Sequence, residues 1–499
     1  MSSIVLSSAG LQIPPGPGPQ KAQTPPGIPA AALRPETPGP STQLTLGKPA
    51  DLASAVYAKP QTQPSTRQAW SGPSNDRISN LMLQNFNAQK HGLLNQSRGL
   101  GRLLLEGFAI GQTNYRQTFS SYAVTDTHGS SDAARTQELL ALDTARLTSS
   151  RVSMQIQTRS GQTVQLQIAF KNGLDGQNAG LHVEAKSSGQ LSDSERKAIA
   201  QLAEGFESVL TGLAQGQGPR LDLAGIMAFD KSVLASLSLT VKDYATDAGV
   251  QSFALQLSDK QRTLNLRQPQ RDGVSELSLN LNPATPMLGA SLQQRQSAIA
   301  QILQQLDASA QRSHAADAQL ALFKQAFTQL QELAPPSPSN AAAVNKLDAM
   351  LQRQVPALLS GLMDYQGSFS GDFERRNSKG LVNEQGQARH EISQTTTLQK
   401  DQANGTAVVL QKQSEKVSAQ YLRARNDATL EPENGNYDSY DIQDQTTRTT
   451  QIAAADGKLT QAQQSTDINL QRKFTSLADF KVQEQRTDPV RKQLVQQLL

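Results

Sequence analysis

The chain has 499 residues, a formal net charge of +4 and no cysteine, and these values exclude several classes of function. The length allows two or three domains. However, the 37% hydrophobic and 4% aromatic content is low for a fully packed chain of this size, since buried aromatic side chains dominate core energetics. Without cysteine there are no disulfides, zinc–thiolate sites, iron–sulfur ligation or thiol nucleophiles. The 47 basic and 43 acidic residues are interspersed, so we expect no nucleic acid partner, because such binding needs clustered cations.

Residues 1–75 are rich in proline, glycine, serine and glutamine, as in "PPGPGPQ" and "TPPGIPAAALRPETPGP". Such sequence buries too little apolar surface to offset the entropy lost on ordering, so a long disordered N-terminus is predicted. A proline-rich ligand for a small adaptor domain is the alternative interpretation. The first charged side chain is Lys21, and Ser7, Ser8 and Gly10 interrupt the opening apolar run, so no cleaved Sec signal is expected.

These features also bear on location. No apolar run in the sequence approaches the length of a membrane span, so we expect no membrane insertion. The location is then either cytoplasmic or reached by export without a cleaved Sec signal, and the sequence does not choose between the two.

Residues 149–285 are predicted to form an α+β domain. The stretch "RVSMQIQTRSGQTVQLQIAF", Arg151 to Phe170, alternates apolar and polar residues on both sides of a turn that contains glycine. This pattern predicts a β-hairpin with one buried face. The stretch "LSDSERKAIAQLAEGFESVLTGL" begins with Ser192 and Glu195 in capping-box register, which predicts a helix. "LASLSLTVK", "SFALQLS", "TLNLR" and "ELSLNLN" are predicted to be short strands.

Helical segments are predicted on both sides of that domain. In residues 76–148, apolar residues recur at helical spacing, as in "RISNLMLQNF". In residues 288–366, "SLQQRQSAIAQILQQLDASA" and "AQLALFKQAFTQLQEL" predict two helices, and "AVNKLDAMLQRQVPALLSGLM" predicts a third that Pro356 should kink or divide. Apolar stripes of this kind indicate the core of a helical hairpin or bundle more often than a partner-binding face.

Residues 367–499 are predicted to be a polar β-hairpin region rich in glutamine and threonine. "EISQTTTLQKDQANGTAVVLQKQSEKV" is weakly repeated as "DIQDQTTRTTQIAAADGKLTQAQQSTDI". Each copy contains "QTT" and then a turn dipeptide, Asn404-Gly405 or Asp456-Gly457, which favours a hairpin between extended segments. The predicted fold class for the whole chain is therefore α+β: a small antiparallel sheet with packed helices, followed by a helical segment and polar β-hairpins.

No catalytic, cofactor-binding or metal-ligating residue is predicted, and no cofactor is implied. "GSFSG" has a central phenylalanine where a nucleophile elbow needs serine, and no phosphate-binding glycine motif is present. The acidic stretch "LEPENGNYDSYDIQD" does not match the spacing of an EF-hand loop, so a solvated turn is favoured over a calcium site. The histidines form no HExxH or HxH motif; they are His91, His128, His182, His314 and His390.

Three stretches in residues 150–243 carry a resemblance to a known family: the hairpin sequence above, the "LSDSERKAIAQLAEGFESVLTGL" helix and "AGIMAFDKSVLASLSLTVK". They resemble a bacterial, chiefly proteobacterial, domain of unknown function. Gln162 stands where that family usually has an acidic residue, and "LTGLAQGQG" replaces an aromatic segment. The resemblance implies an α+β fold and no activity, so no catalytic residue is carried over. The matching residues are Thr158, Gly161, Val164, Ala198, Ile199, Leu202, Phe229, Asp230, Leu237 and Leu239.

Together these observations predict a non-enzymatic structural or protein-interaction protein of bacterial origin, with a protein partner or self-assembly. The first alternative is a leaderless exported protein, a substrate or effector of a flagellar- or type III-like secretion route. The uncharged start, the missing cysteine and the Gln/Ser/Thr/Ala-rich body suit that alternative. The second alternative is an enzyme or toxin whose site is dispersed along the sequence.

Overall fold

A computed structural model shows one long sheet with helices packed on one of its faces. It describes residues 65–88, 92–124, 150–171, 178–214, 221–246, 249–270, 273–285, 290–332, 355, 358–401, 405–456 and 458–498.

Some of the α-helices in these ranges begin at a side chain that caps free N–H groups. Asp76 accepts hydrogen bonds from the backbone N–H of Ile78 at 2.8 Å and of Ser79 at 3.0 Å. Ser291 accepts from the N–H of Gln294 at 3.1 Å. The helices are α1 (Arg77–Asn87), α2 (Leu93–Gln96), α3 (Leu100–Ala109), α4 (Asp193–Ala200), α5 (Ala203–Ala214), α6 (Ala224–Met227), α7 (Leu292–Ser313) and α8 (Asp317–Glu332).

The strands become longer toward the C-terminus. They are β1 (Ser65–Trp70), β2 (Asn114–Val124), β3 (Ser150–Thr158), β4 (Thr163–Lys171), β5 (Asn178–Ser187), β6 (Leu234–Thr246), β7 (Gly249–Ser258), β8 (Arg262–Gln270), β9 (Gly273–Asn282), β10 (Asp364–Arg376), β11 (Val382–Asp401), β12 (Thr406–Ala424), β13 (Tyr437–Ala455), β14 (Lys458–Ala478) and β15 (Lys481–Gln497).

All of these strands belong to one fifteen-stranded sheet, in the order β1-β2-β5-β4-β3-β6 and then in sequence to β15. Every pairing is antiparallel, as for β3 with β4 and β9 with β10. Residues at alternate positions therefore lie on the same face across the whole sheet. The helices α3, α7 and α8 pack on one face, which we call the inner face; the opposite, outer face carries polar side chains.

The predicted fold class is wrong in its architecture. We expected a small sheet followed by a separate helical segment and separate hairpins, but β9 pairs with β10 across the helical segment, so both parts share one ladder. The physical reason is that strand periodicity specifies which face is buried and not which strand lies alongside. Residues Gln63–Leu499 form one compact unit. Whether the predicted boundaries at 149–285, 288–366 and 367–499 mark independently folding domains stays a prediction.

The predicted disordered leader also needs correction at its end. Ser65–Trp70, inside the predicted 1–75 segment, forms the edge strand β1 and pairs with β2. Trp70 secures this strand, because its ring lies 4.7 Å from the buried ring of Phe119. The strand β2 likewise lies in the 76–148 segment that was predicted to be helical. Residues 1–64 and 125–149 lie outside the described part of the chain.

Several local predictions are confirmed. Strands β3 and β4 pair as the predicted hairpin. Helices α7 and α8 cover the first two of the three stretches predicted as helices in residues 288–366. The C-terminal repeats pair as β11 with β12 and as β13 with β14. The turn residues Asn404 and Gly457 are outside the described residues, as is most of the third predicted helix, in 333–354. Among the helices that are described, none has the length and apolar character needed to cross a membrane.

A carboxylate joins the β3–β4 turn to the helix that follows the hairpin. The side chain of Glu195 closes the predicted capping box by accepting from the N–H of Ser192 at 2.8 Å. Its other oxygen accepts from the hydroxyl of Ser160, in the turn, at 2.5 Å. Burial raises the pKa of Glu195, but the hydrogen bonds from Ser160 and from the N–H of Ser192 outweigh this and hold the pKa at about 2.

We expect Glu195→Gln to lower the free energy of unfolding by about 1.5 kcal/mol at pH 7. The substitution weakens the charge-assisted hydrogen bonds of this side chain to Ser160 and to the N–H of Ser192. The folded-state pKa lies below the ordinary value of 4.5. The contribution of Glu195 is therefore present above pH 4.5 and is lost as pH falls toward 2. Urea denaturation of both proteins at several pH values measures it. If the difference in unfolding free energy between the wild type and Glu195→Gln grew as the pH fell, the carboxylate would not have the stabilising role described here.

Candidate interaction surface

The outer face of the sheet is predominantly polar, although Leu410 and Val495 are exposed on it. A single row of directly paired residues crosses it from β2 to β15, and each member is half-buried or exposed. The row consists of Asn114, Lys186, Gln165, Gln155, Ser238, Gln256, Thr263, Asn280, Gln366, Ser393, Ser414, Thr447, Asp467 and Gln493. Most members are amides or hydroxyls, which form hydrogen bonds and do not titrate near neutral pH.

The outer face of the β3–β4 hairpin contains a shallow depression of about 170 Å³ that includes Gln155, Gln165 and Gln167. Its charged members, Glu184 and Lys186, form an ion pair with N–O distance 3.7 Å. The hydroxyls of Ser153, Ser238 and Thr240 also line the depression. The polar side of the hairpin therefore presents amides, hydroxyls and one ion pair on this face.

The apolar side chains of the inner face become less buried beyond the helices. Its central row begins in the core with Leu239, Leu255, Leu264 and Leu279, which are buried under helices. Helix α7 packs on β12. Past that helix, Ala462 on β14 is buried in a small cluster with Val355 and Leu359. Five other apolar positions on β14 and β15 are half-buried or exposed, and Leu494 is 58% exposed. They are Ile468, Leu470, Phe474, Val490 and Leu494.

We call this surface the trough. Its floor is the inner face of β13–β15, including Thr446 and Arg448, and its wall is the flank of α7 that carries Gln301 and Gln305. Where the wall meets the floor, a cavity of about 550 Å³ is lined by these residues together with Glu415. The outer face of β14 carries Asp467, Asn469, Gln471 and Lys473, so the apolar residues of this strand are confined to the trough side.

Two atoms of charged side chains at the base of the trough have no hydrogen-bond partner among the described residues. They are Oε1 of Glu415 and Nε of Arg448, and both atoms are buried. Burial raises the pKa of Glu415, while the hydrogen bond of Ser309 and the charge of Arg312 act in the opposite direction. Unsatisfied buried polar atoms cost about 1–3 kcal/mol each, so this part of the trough is suited to a ligand that supplies the missing partners.

A buried carboxylate connects the wall to the floor. Asp444 on β13 has a side chain that is 4% exposed and accepts from Nη2 of Arg472 on β14 at 2.9 Å. The same oxygen lies 3.4 Å from Nε of Arg312 on α7. One anion therefore neutralises two cations and ties α7 to the strands beyond β12.

A second polar cluster under α7 resembles a nucleophile–base pair but is closed to solvent. The buried His390 stacks on Phe369 with ring centroids 4.6 Å apart, and its Nε2 lies 2.7 Å from the hydroxyl oxygen of Ser313. The same hydroxyl lies 3.3 Å from the carbonyl oxygen of Ala310. Burial, with a smaller effect of Arg312, lowers the pKa of His390 to about 4. The ring is then neutral at pH 7 and acts in packing.

The remaining features singled out in the sequence also have structural roles. His182 Nδ1 lies 2.8 Å from the hydroxyl of Thr118, and His314 Nδ1 lies 2.5 Å from Oε1 of Glu384. In "GSFSG" the absence of a side chain at Gly367 leaves room for core rings. The acidic stretch is spread along β13 and the turn before it. In the described ranges no three His, Asp or Glu side chains meet as a metal site would require. His91 and His128 lie outside those ranges.

Sequence reasoning missed the trough because it treated residues 367–499 as polar throughout. A usable signal was present in "DINLQRKF", where Ile468, Leu470 and Phe474 recur at even positions between polar residues. Comparisons with protein-family models, with curated proteins and with solved structures produced no match.

Proposed function

We propose that this chain is a non-enzymatic interaction protein that binds a partner protein in the trough. The main support for the proposal is that the layer of helices is narrower than the sheet on which it packs. The described helices reach β12, whereas the apolar side chains of the inner face continue to β15. Exposed apolar residues grouped on one surface and rimmed by polar groups are typical of binding surfaces. The partly unsatisfied Glu415 and Arg448 support the same interpretation.

The β15 edge of the sheet is a poorer binding surface than the trough. The edge strand β15 contains Pro489, which lacks the N–H that strand addition uses. It also carries many charged side chains along its length, and charges and proline on an edge strand oppose pairing with another strand. These charged residues are Lys481, Glu484, Arg486, Asp488, Arg491 and Lys492.

A photo-crosslinking experiment tests the proposal with a control one residue away. The photoreactive residue p-benzoylphenylalanine replaces Leu494, in the trough, or Gln493, on the outer face of the same strand. In cells that naturally make the protein, we expect irradiation to give one discrete adduct from position 494 and at least fivefold less from position 493. The adduct should disappear when Leu470→Asp is added, and mass spectrometry identifies the attached chain.

The outcomes distinguish partner binding from its alternatives. Equal adducts from both positions, or no adduct from position 494, would contradict the proposal. An adduct consisting of two copies of this chain would replace the partner with self-assembly. Export without a cleaved leader remains a second prediction. It rests on the uncharged start, the missing cysteine and the Gln/Ser/Thr/Ala-rich body of the sequence.

A further inference from the structure

We propose that the occupant of the trough is an amphipathic helix of the partner, with an apolar stripe flanked by carboxylates. This inference rests on the function proposed above and names the chemistry of the partner. The stripe would cover Ile468, Leu470, Val490 and Leu494, and the carboxylates would reach Arg448 and Lys492. Three properties of the trough support this assignment: its width, the helices beside it and its charges.

The width of the trough matches one helix. Three inter-strand steps separate β12, which α7 covers, from the edge strand β15. At about 4.8 Å per step this gives about 14 Å, and an α-helix with its side chains is about 10–12 Å wide. An added helix would lie beside α7, where Ala298 and Ala308 line the cavity with small side chains. It would extend the helix layer to the edge of the sheet.

The charges of the trough call for an acidic partner. Three carboxylates at the base and on the floor of the trough have cationic neighbours. Asp444 lies beside two arginines, Asp488 lies 3.9 Å from Nε of Arg486, and Glu415 is close enough to Arg312 for that charge to act on it. By contrast, Arg448 and Lys492 are in no ion pair between described residues. Lys492 pairs directly with Ile468, and Arg448 lies diagonally across from Ile468, opposite Thr466. Carboxylates at both edges of a docked apolar stripe would neutralise them.

The same charges disfavour a second copy of this chain as the occupant. Two copies meeting trough to trough would place another Arg448 and another Lys492 in the interface, which doubles the unneutralised positive charge. Like charges brought together at an interface oppose association. A helix with acidic flanks supplies the opposite charge together with the apolar contact.

Two designed peptides of equal length test the inference with the full chain. Both are 18-residue amphipathic helices with the same leucine stripe; one has glutamates on both flanks of the stripe and the other has lysines. Titration is followed by fluorescence anisotropy. We expect the glutamate peptide to bind at least tenfold more tightly than the lysine peptide, because inverting the flanking charges replaces attraction by repulsion. Leu494→Asp should weaken binding tenfold or more, whereas Gln493→Asp, on the other face, should change it less than twofold.

A further pair of variants locates the charge preference. Arg448→Gln and Lys492→Gln should each reduce the ratio of the affinities for the glutamate and lysine peptides by about threefold. Equal affinity for both peptides, or binding unaffected by Leu494→Asp, would overturn the inference. If neither peptide binds while photo-crosslinking from position 494 still yields a partner, the helix is wrong and the proposed function stands. If crosslinking from that position also fails, both are wrong. Sedimentation equilibrium without peptide reports self-association, which would make a second copy the occupant.

Discussion

Gly205→Ala should destabilise the protein by about 2 kcal/mol even though alanine is the better helix former. Gly205, in α5, faces Gly225 of α6. A Cβ atom at position 205 would lie 2.4 Å from the carbonyl carbon of Gly225 and 2.5 Å from the nitrogen of Ile226. These are backbone atoms, so a rotamer change cannot relieve the contact and α6 must move. Helix propensity favours alanine by about 1 kcal/mol, whereas overpacking of a well-packed core costs up to about 3 kcal/mol.

Urea denaturation measures this effect, and Gly72→Ala is the control. A Cβ at Gly72 would approach nothing nearer than Oε1 of Gln117 at 3.8 Å, so the control should change stability by less than about 0.5 kcal/mol. Gly225→Ala creates the reciprocal clash, 2.6 Å from the Cα of Gly205. Because one separation of the helices relieves both clashes, the double variant should lose less than the sum of the two single losses. A Gly205→Ala protein as stable as the wild type would show that the two backbones do not touch.

Local elements were predictable because their signals act over a few residues. The hairpin of Arg151–Phe170 follows from strict alternation and a turn in which Gly161 adopts φ of +94°, a conformation that glycine adopts without strain. The helix that begins after Ser192 follows from a capping box that the structure contains. In both cases the side chains that determine the structure lie close together in the sequence.

The single sheet was not predictable in the same way. Nothing local specifies that Leu279 on β9 should pair with Gly367 on β10, because the two residues are separated by two helices and a further segment. The pairing is stabilised instead by Phe323 of α8, whose ring lies against the space that Gly367 leaves open. That contact depends on three elements meeting, and a periodicity analysis examines one element at a time.

The trough could be predicted in part. Alternation around Ile468 and Leu470 predicts that one face of this strand is apolar, but whether a helix covers that face depends on where α7 lies. That Arg448 is in no ion pair between described residues is likewise a property of the packed structure, since its cross-strand neighbours, Gln413 and Thr466, come from β12 and β14. The sequence therefore predicts which residues of the trough are apolar, but it does not predict that they are exposed.

Asp444→Asn is expected to destabilise the protein by about 2–3 kcal/mol, because one change breaks both ion pairs that link α7 to β13 and β14. Removing one member of a fully buried pair typically costs about 3–5 kcal/mol. Here Arg312 and Arg472 are each 40% exposed, so water partly solvates them in the variant and the loss is smaller. Arg472→Gln alone should cost less than Asp444→Asn, since Asp444 retains Arg312.

The matched control for Asp444 is the exposed pair on the outer face of β11. Nε of Arg389 lies 2.7 Å from Oε1 of Glu391, closer than the 2.9 Å between Arg472 and Asp444. The two side chains are 52% and 42% exposed, so solvent screens them and Glu391→Gln should cost less than about 0.5 kcal/mol. Raising the salt concentration from 0.1 to 1 M should leave the Asp444→Asn loss nearly unchanged, because the carboxylate is shielded from counterions. Equal losses for the two variants would show that distance rather than burial sets the strength of these pairs, and that Asp444 does not anchor the wall of the trough.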